Sequence, residues 1–406
     1  MTEPKRASPD TTFRILVTGG GTGGHVTPAL ATIQALRELA PASRTLEFLY
    51  VGSLSGVERE MAEAAGIPFM GVQTGKLRRA ARWYGMINGR NLADLFRIPV
   101  GIAQSMRFVW RFRPDAVLAT GGYVAVPPVI AAAAARVPVL IHEQTLQIGL
   151  ANRINARFAK KIALSSEDAL DLLPARMRSR AIVTGNPVRE VVFGGDRASA
   201  LKRFNFASQD PSLPVVYVTG GAQGARILNR AVEEALNDLL PETRIIHQCG
   251  QQPSGGEQDY DRLMKVSLTL SPELRARYHV TRFVREEIGD IYALCDLVVG
   301  RSGAGTVTEV CALGKPAIYV PLVPTGGDEQ NKNARRSADA GAALVIPNGE
   351  CDGARLAAEA LPLLRDAARR SRMGEAARTL ARPNAASDLA RVLLDMGLNA
   401  APDTAS

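Results

Sequence analysis

The sequence predicts an α/β protein made of two Rossmann-like domains in tandem, each a doubly wound parallel sheet. Three observations predict it. The chain has 406 residues, too many for one ordinary core and suited to two domains of about 150–200 residues. Short β-rich runs alternate with longer amphipathic stretches, which is the βαβ rhythm. Glycine-rich turns follow strands in both halves: "GGGTGGH" at 19–25, "TGGY" at 120–123 and "GGAQGAR" at 220–226.

Residues 1–12 read as a loose polar tail. The first domain, 13–190, carries the strand signals "FRILVTG", "TLEFLYVG", "DAVLAT", "VPVLIHE" and "KIALS". Between them, "PALATIQALRELA" and "GVEREMAEAAG" have helical spacing. The rhythm breaks at 184–196, "TGNPVREVVFGGD", where Gly, Pro and polar residues mark the domain boundary. A second cycle, 196–383, opens with "PVVYVTGGAQGARILNRAVEEALNDLL", a strand, a glycine turn and a helix. It continues through "RIIHQCG", "VTRFV", "DLVVG", "PAIYVPL" and "AALVIP". A last helix at 384–398 is expected to pack back on the first domain.

Composition narrows the function classes. Hydrophobic residues at 46% and charged ones at 22% are ordinary for a globular protein. The cysteines Cys249, Cys295, Cys311 and Cys351 form no CxxC pair, so neither a disulfide framework nor a zinc site is expected. The polar opening predicts no signal peptide. The longest apolar run, 124–141, is broken by three prolines and Arg136; it reads as a short buried helix and a strand rather than a bilayer span.

Charge is placed unevenly. Lys76, Arg78, Arg79, Arg82, Arg90, Arg97, Arg107, Arg111 and Arg113 face a single acid, Asp94, and are interleaved with Trp83, Phe96, Phe108 and Trp110. Basic and large apolar side chains together suit an anionic membrane surface, at about 1 kcal/mol per basic residue. A solvated basic face over core aromatics is the alternative for 76–113. No nucleic-acid motif accompanies the charge, so no nucleic-acid partner is expected.

The glycines admit sharp turns through positive φ and let a ligand approach the backbone. Where a helix starts next, its free N–H groups and dipole favour phosphate. Gly19, Gly21 and Gly24 satisfy GxGxxG. A dinucleotide site would want an acid ending the second strand, but that strand ends "LYVGSLSG", with Glu47 inside it. No GK[ST] follows, so this is not a Walker loop. Two phosphate-type turns fit a sugar nucleotide held between two lobes better.

Seven stretches then appear in one order: "GGTGGHV" at 20–26, "GGYV" at 121–124, "HEQ" at 142–144, "TGNPVR" at 184–189, "GAQGAR" at 221–226, "RSGAGTVTE" at 301–309 and "DEQNKNA" at 328–334. Together they resemble the MurG family of bacterial N-acetylglucosaminyltransferases, over about residues 13–395. The resemblance implies a GT-B fold with two domains facing a central cleft. It implies inverting transfer of GlcNAc from UDP-GlcNAc to the C4 hydroxyl of the muramoyl sugar in undecaprenyl-diphospho-MurNAc-pentapeptide (lipid I). It also implies no cofactor, no obligatory metal, and peripheral work at the cytoplasmic face of the bacterial membrane. By motif, Thr22, Gly23 and Gly24 line the cleft. Arg189 reaches the donor diphosphate, and Val284 meets the uracil through its backbone. Ala304, Gly305, Thr306, Val307, Thr308 and Glu309 form the turn and helix start under the nucleotide, with Glu309 on the ribose. Gln330 and Asn333 hold the GlcNAc hydroxyls. The chain departs from the family pattern at Ala222, where Ser is usual, and at Thr145, where Asn is usual. It also departs at Ala125 and Val126, where Ser-Gly is favoured.

Glycosyl transfer needs negative charge stabilised on the departing diphosphate and a proton removed from the attacking hydroxyl. The one DxD pair, Asp259–Asp261, lies in a hydrophilic stretch and reads as a solvated helix or loop, so Arg189 and helix N-termini are expected to hold the diphosphate. His25, at a helix start where the dipole disfavours a protonated ring, is expected to act as general base or to orient the hydroxyl; a capping or phosphate-contacting role is the alternative. Glu309 also reads as a first-turn acid. His142 is expected to order the "HEQ" turn, and His247 and His279 to be structural. A related lipid glycosyltransferase and a non-catalytic sugar-nucleotide binder remain as other readings of the same motifs.

Overall fold

In the computed structural model, the described residues are 12–75, 89–251, 258–323 and 328–398. They fall into two units. One comprises the chain up to Val188 together with the residues from Arg382 on; the other is Arg189–Ala381.

The first unit alternates strictly. β1 (Thr12–Thr18) leads to α1 (Gly23–Leu39), β2 (Thr45–Ser53) to α2 (Val57–Ala64), and β3 (Phe69–Val72) to α3 (Gly89–Phe112). β4 (Ala116–Ala119), α4 (Val126–Ala134), β5 (Val139–Glu143), α5 (Leu150–Asn155) and β6 (Lys161–Leu164) follow. Two short helices, α6 (Glu167–Asp171) and α7 (Ala175–Arg178), precede β7 (Ala181–Val183). The strands form one sheet in the order β3-β2-β1-β4-β5-β6-β7, every pair parallel. Its central strands are buried on both faces, as helices on either side require. Ile15 and Val17 enter one core with Ile33 and Leu36 of α1. Leu16, between them, enters the other with Val109 of α3 and Val129 of α4, as the two-residue pleat dictates.

The second unit repeats the scheme. After α8 (Arg197–Arg203) come β8 (Val215–Thr219), α9 (Arg226–Leu239), β9 (Arg244–Gln248), α10 (Asp259–Thr269), α11 (Pro272–Ala276) and β10 (Tyr278–Thr281). Then come α12 (Ile288–Leu294), β11 (Leu297–Gly300), α13 (Ala304–Ala312), β12 (Ala317–Tyr319), α14 (Glu329–Asp339), β13 (Ala343–Val345), α15 (Gly353–Arg365) and α16 (Ala367–Thr379). The sheet order is β10-β9-β8-β11-β12-β13, again all parallel.

The chain ends with α17 (Ala385–Leu398). Its Leu389, Ala390 and Leu393 join the core of the first unit, and Gly397 lies where a Cβ would strike the Phe13 ring.

Both sheets reverse their winding at one place, between β1 and β4 and between β8 and β11. Ligands of open α/β sheets bind beyond the carboxyl ends of strands at such a switch point. The first two glycine turns follow β1 and β4. The third turn and "RSGAGTV" follow β8 and β11. Topology thus pairs the motifs within each unit.

Candidate active site

In the first unit the two glycine turns interlock. The Gly20 N–H donates to Gly121 O at 3.2 Å, and the Tyr50 hydroxyl donates to Gly19 O at 2.8 Å. Gly122 has φ +79°, and a Cβ there would overlap the Gly20 carbonyl oxygen. Gly121, at φ +99°, leaves room for the His25 ring, whose Nδ1 lies 3.1 Å from where its Cβ would be. Much of the glycine therefore serves turn-on-turn packing. Beneath the first turn sits Glu58, fully buried. It accepts from the Gly21 N–H at 3.2 Å, the Ser53 N–H at 2.9 Å and the Ser53 hydroxyl. A cavity of about 550 Å³ opens beside them, lined by Gly21, Ser53, Gln73, Thr74, Arg97 and Tyr123 among others.

Thr22 caps α1 without a side-chain hydrogen bond, and Gly23 and Gly24 form the helix start. His25 follows in the first turn. Its Nδ1 lies 2.9 Å from Gln144 Oε1 and 3.1 Å from Thr120 O. The Thr120 hydroxyl donates to the His25 carbonyl at 2.6 Å, so one residue of the second turn holds both backbone and ring. Thr145 turns inward: its N–H and hydroxyl meet Glu143 Oε1 at 3.1 and 2.7 Å.

In the second unit Arg189 and Glu309 meet. Arg189 donates from Nε and Nη2 to Glu309 Oε1, at 2.9 and 2.7 Å. The buried Tyr292 hydroxyl donates to Glu309 Oε2 at 3.1 Å; burial, then the Glu309 charge, raise that phenol well above its usual range. α13 begins at Ala304 with Gly303 as an N-cap that offers no side chain. The N–H groups of Ala304, Gly305 and Thr306 therefore lack intrahelical acceptors by construction. Val307 already donates back to Gly303 O, and the Thr308 hydroxyl donates to Ala304 O. Ser302 ties in α14: its hydroxyl donates to Gln330 O at 2.7 Å, and its carbonyl accepts from Asn333 Nδ2 at 3.0 Å. Gln330 Oε1 accepts from the Leu322 N–H at 2.9 Å. Val284 lies in the loop after β10, and Ala222 in the turn before α9, accepting from the Gln251 N–H at 3.0 Å.

Known proteins resemble this chain in sequence and fold. The glycosyltransferase family 28 N-terminal domain matches residues 15–164, and the family 28 C-terminal domain matches 215–389. A UDP-N-acetylglucosamine--N-acetylmuramyl-(pentapeptide) pyrophosphoryl-undecaprenol N-acetylglucosamine transferase of Treponema pallidum is 36% identical over 390 residues, covering 96% of this chain and 97% of its own. The transferase of that name from Nocardioides is 35% identical, covering 95% and 99%. The crystal structure of Acinetobacter baumannii MurG superposes with a TM-score of 0.68 at 27% identity, over 94% of this chain and 99% of that one. The chain belongs to the MurG family.

Several expectations are corrected in this MurG-family chain. Glu309 is the sixth residue of α13, whose first turn holds no acid, so the dipole reading of it fails; its position instead serves the pair with Arg189. Asp259 is not solvated. It is 2% exposed, accepts from Asn229 Nδ2 at 2.7 Å and from Arg262 at 3.0 Å, in the first turn of α10. "VTRFV" yields a strand displaced toward its N-terminus, Tyr278–Thr281. α1 starts five residues ahead of Pro28, at Gly23, so that Pro28 lies inside the helix rather than at its start. β3 and β7 were not legible. Each is a short, partly exposed edge strand; both are apolar, but at three or four residues too short to show a period of their own. His142, His247 and His279 do structural work: His247 bridges Tyr278 and Asn229, and His279 packs edge-on against Phe204. The four cysteines are buried and form no disulfide with one another.

Three residues that matter carried no signal of their own. Glu58 read as one more acid on an amphipathic helix. Tyr292 lies in none of the quoted stretches. Gln144 stood inside the quoted "HEQ" stretch without a role. Of the basic, aromatic stretch, residues 76–88, with Lys76, Arg78, Arg79, Arg82 and Trp83, lie outside the described residues. Within α3, Trp110 is 69% exposed and Val100 is exposed too, among the exposed Arg97, Arg107 and Arg111. Among the described residues no helix is long and apolar enough to cross a membrane.

Proposed function

We propose that this chain moves GlcNAc from UDP-GlcNAc to the C4 hydroxyl of the muramoyl sugar in undecaprenyl-diphospho-MurNAc-pentapeptide, with inversion at the anomeric carbon. The observation that carries this is the match, across 96% of the chain, to enzymes that bear the name of that transfer.

The geometry supports a division of labour. In the second unit the Arg189 guanidinium uses Nε and Nη2 on Glu309, which fixes its plane and leaves Nη1 for a phosphate oxygen of the donor. The opening N–H groups of α13 add donors for the same diphosphate. Such preorganised donors contribute about 3–4 kcal/mol each to a transition state that loads charge onto the leaving group. Glu309 Oε2 retains acceptor capacity beside Tyr292 for a ribose hydroxyl. Gln330 and Asn333 extend toward the GlcNAc, Val284 toward the uracil, and Ala222 contributes backbone only. In the first unit, Thr22, Gly23 and Gly24 frame the acceptor, whose diphosphate-sugar lies in the cavity beside Gly21 and Tyr123. The C4 oxygen attacks the anomeric carbon while His25 takes its proton. The anomeric C–O bond to UDP breaks, and its electron pair leaves with the β-phosphate oxygen.

The exposed Trp110 and its arginine neighbours support docking of the first unit on an anionic membrane at the cytoplasmic face. Incubation with radiolabelled UDP-GlcNAc and a short-chain lipid I analogue tests the transfer: label in the lipid product and stoichiometric UDP are expected. UDP-GlcNAc binding without labelled lipid would leave a sugar-nucleotide binder instead.

A further inference from the structure

The ring of His25 is backed by the "HEQ" turn. Four groups are linked there by hydrogen bonds whose directions are forced. The outermost is the Gly185 carbonyl, which can only accept. His142 Nε2 lies 2.9 Å from it, so the His142 proton is on Nε2. His142 is completely buried, and burial lowers its ring to about 4; it is neutral, and its Nδ1 is an acceptor. Gln144 Nε2 lies 3.3 Å from that Nδ1 and 2.5 Å from Thr120 O. Both neighbours accept, so the Gln144 amide must present its nitrogen to them. Its oxygen is then aimed the other way, at His25 Nδ1, 2.9 Å distant. No carboxylate enters the chain: Glu143 is turned onto the Gly149 N–H and Asn152 instead.

We propose that Gln144, oriented by His142 and Thr120, is a positioning residue that holds neutral His25 as the tautomer protonated on Nδ1. Nε2 then carries the lone pair that receives the acceptor proton. Here Nδ1 faces two acceptors, Gln144 Oε1 and Thr120 O. The device differs from a carboxylate-backed histidine. An amide oxygen sets tautomer and ring plane without adding negative charge. This rests on the reading of His25 as the base, and the experiment separates the two.

The full-length chain is labelled with 15N-histidine, and tautomers are read from long-range proton–nitrogen correlations; the chain has four histidines, and His25→Ala assigns the signal. His25 protonated on Nδ1 is expected in the wild type, and His25 protonated on Nε2 overturns the proposal with no variant needed. Gln144→Leu is expected to make the Nε2-protonated form measurable. It should also lower kcat about tenfold or more, a part of what a general base contributes, with donor KM within twofold. A Gln144→Leu chain that folds and keeps both tautomer and kcat overturns it, as does a fall in kcat with the tautomer unchanged. If His25→Ala alone keeps kcat, the base assignment falls, while the tautomer measurement still decides whether Gln144 sets the ring.

Discussion

Glu309→Gln keeps shape and removes one charge, and the structure says what that costs. The side chain of Glu309 is 11% exposed and that of Arg189 37%. Two N–H groups of Arg189 converge on one oxygen and the Tyr292 hydroxyl on the other. Turning hydrogen bonds to a charged group into neutral ones loses about 1 kcal/mol each, and the half-open Arg189 discounts this further. A stability loss of about 1 kcal/mol follows, or about 2–4 °C in the melting of a unit this size. On the donor side, replacing carboxylate by amide against a ribose hydroxyl costs about 1–2 kcal/mol, a rise in UDP-GlcNAc KM of about 5–30-fold. The change should leave kcat within about threefold, because the ribose contact is the same in ground and transition states. Initial rates with the donor varied at saturating lipid I analogue, paired with calorimetric titration of UDP, read both numbers. A fall in kcat at unchanged KM, or an unchanged UDP Kd, would refute the reasoning.

His142 and His247 are pushed by burial to about 4 and about 3, below the ordinary value, so the unfolded chain binds protons that the native chain refuses. Each should leave stability nearly untouched above about pH 6.5 and cost about 1 kcal/mol by pH 5.5, with stability falling further at lower pH; flat denaturant midpoints between pH 7.5 and 5.5 would contradict this. Gly122→Ala places a Cβ on the Gly20 carbonyl at φ +79° and should destabilise by about 2–5 kcal/mol, the sum of left-handed strain and overpacking; an unshifted melting curve counts against the interlocked turns. Trp110→Ser should weaken sedimentation with anionic vesicles while sparing UDP binding, and equal sedimentation of the folded variant would remove Trp110 from the membrane contact.

The central strands were legible because they are buried on both faces and open as continuous apolar runs, "VVYV" and "VLI" among them. The glycine turns were legible as punctuation, but not in purpose. Nothing local says that Gly122 must be small to admit the Gly20 carbonyl, a residue about a hundred positions earlier. The Arg189–Glu309 pair joins residues 120 apart, and the approach of Gln144 to His25 spans 119. Both depend on sheet order, which periodicity does not encode. The edge strands β3 and β7 are hard to read because three or four residues, apolar though they are, show no period that separates a strand from a loop. Asp259 escaped because its buried partner, Asn229, comes from a helix 30 residues away.

The return of α17 to the first sheet orders events during synthesis. Leu389 and Leu393 fill space between residues translated at the very start of the chain, Phe13 and Ile15 among them. At about 5–20 residues per second, the ribosome spends roughly 10–40 s on the intervening second unit. Throughout that interval the first half waits with an apolar flank uncovered. A nonsense mutation near residue 381 should therefore injure the opening half of the protein while leaving the coding of the second intact.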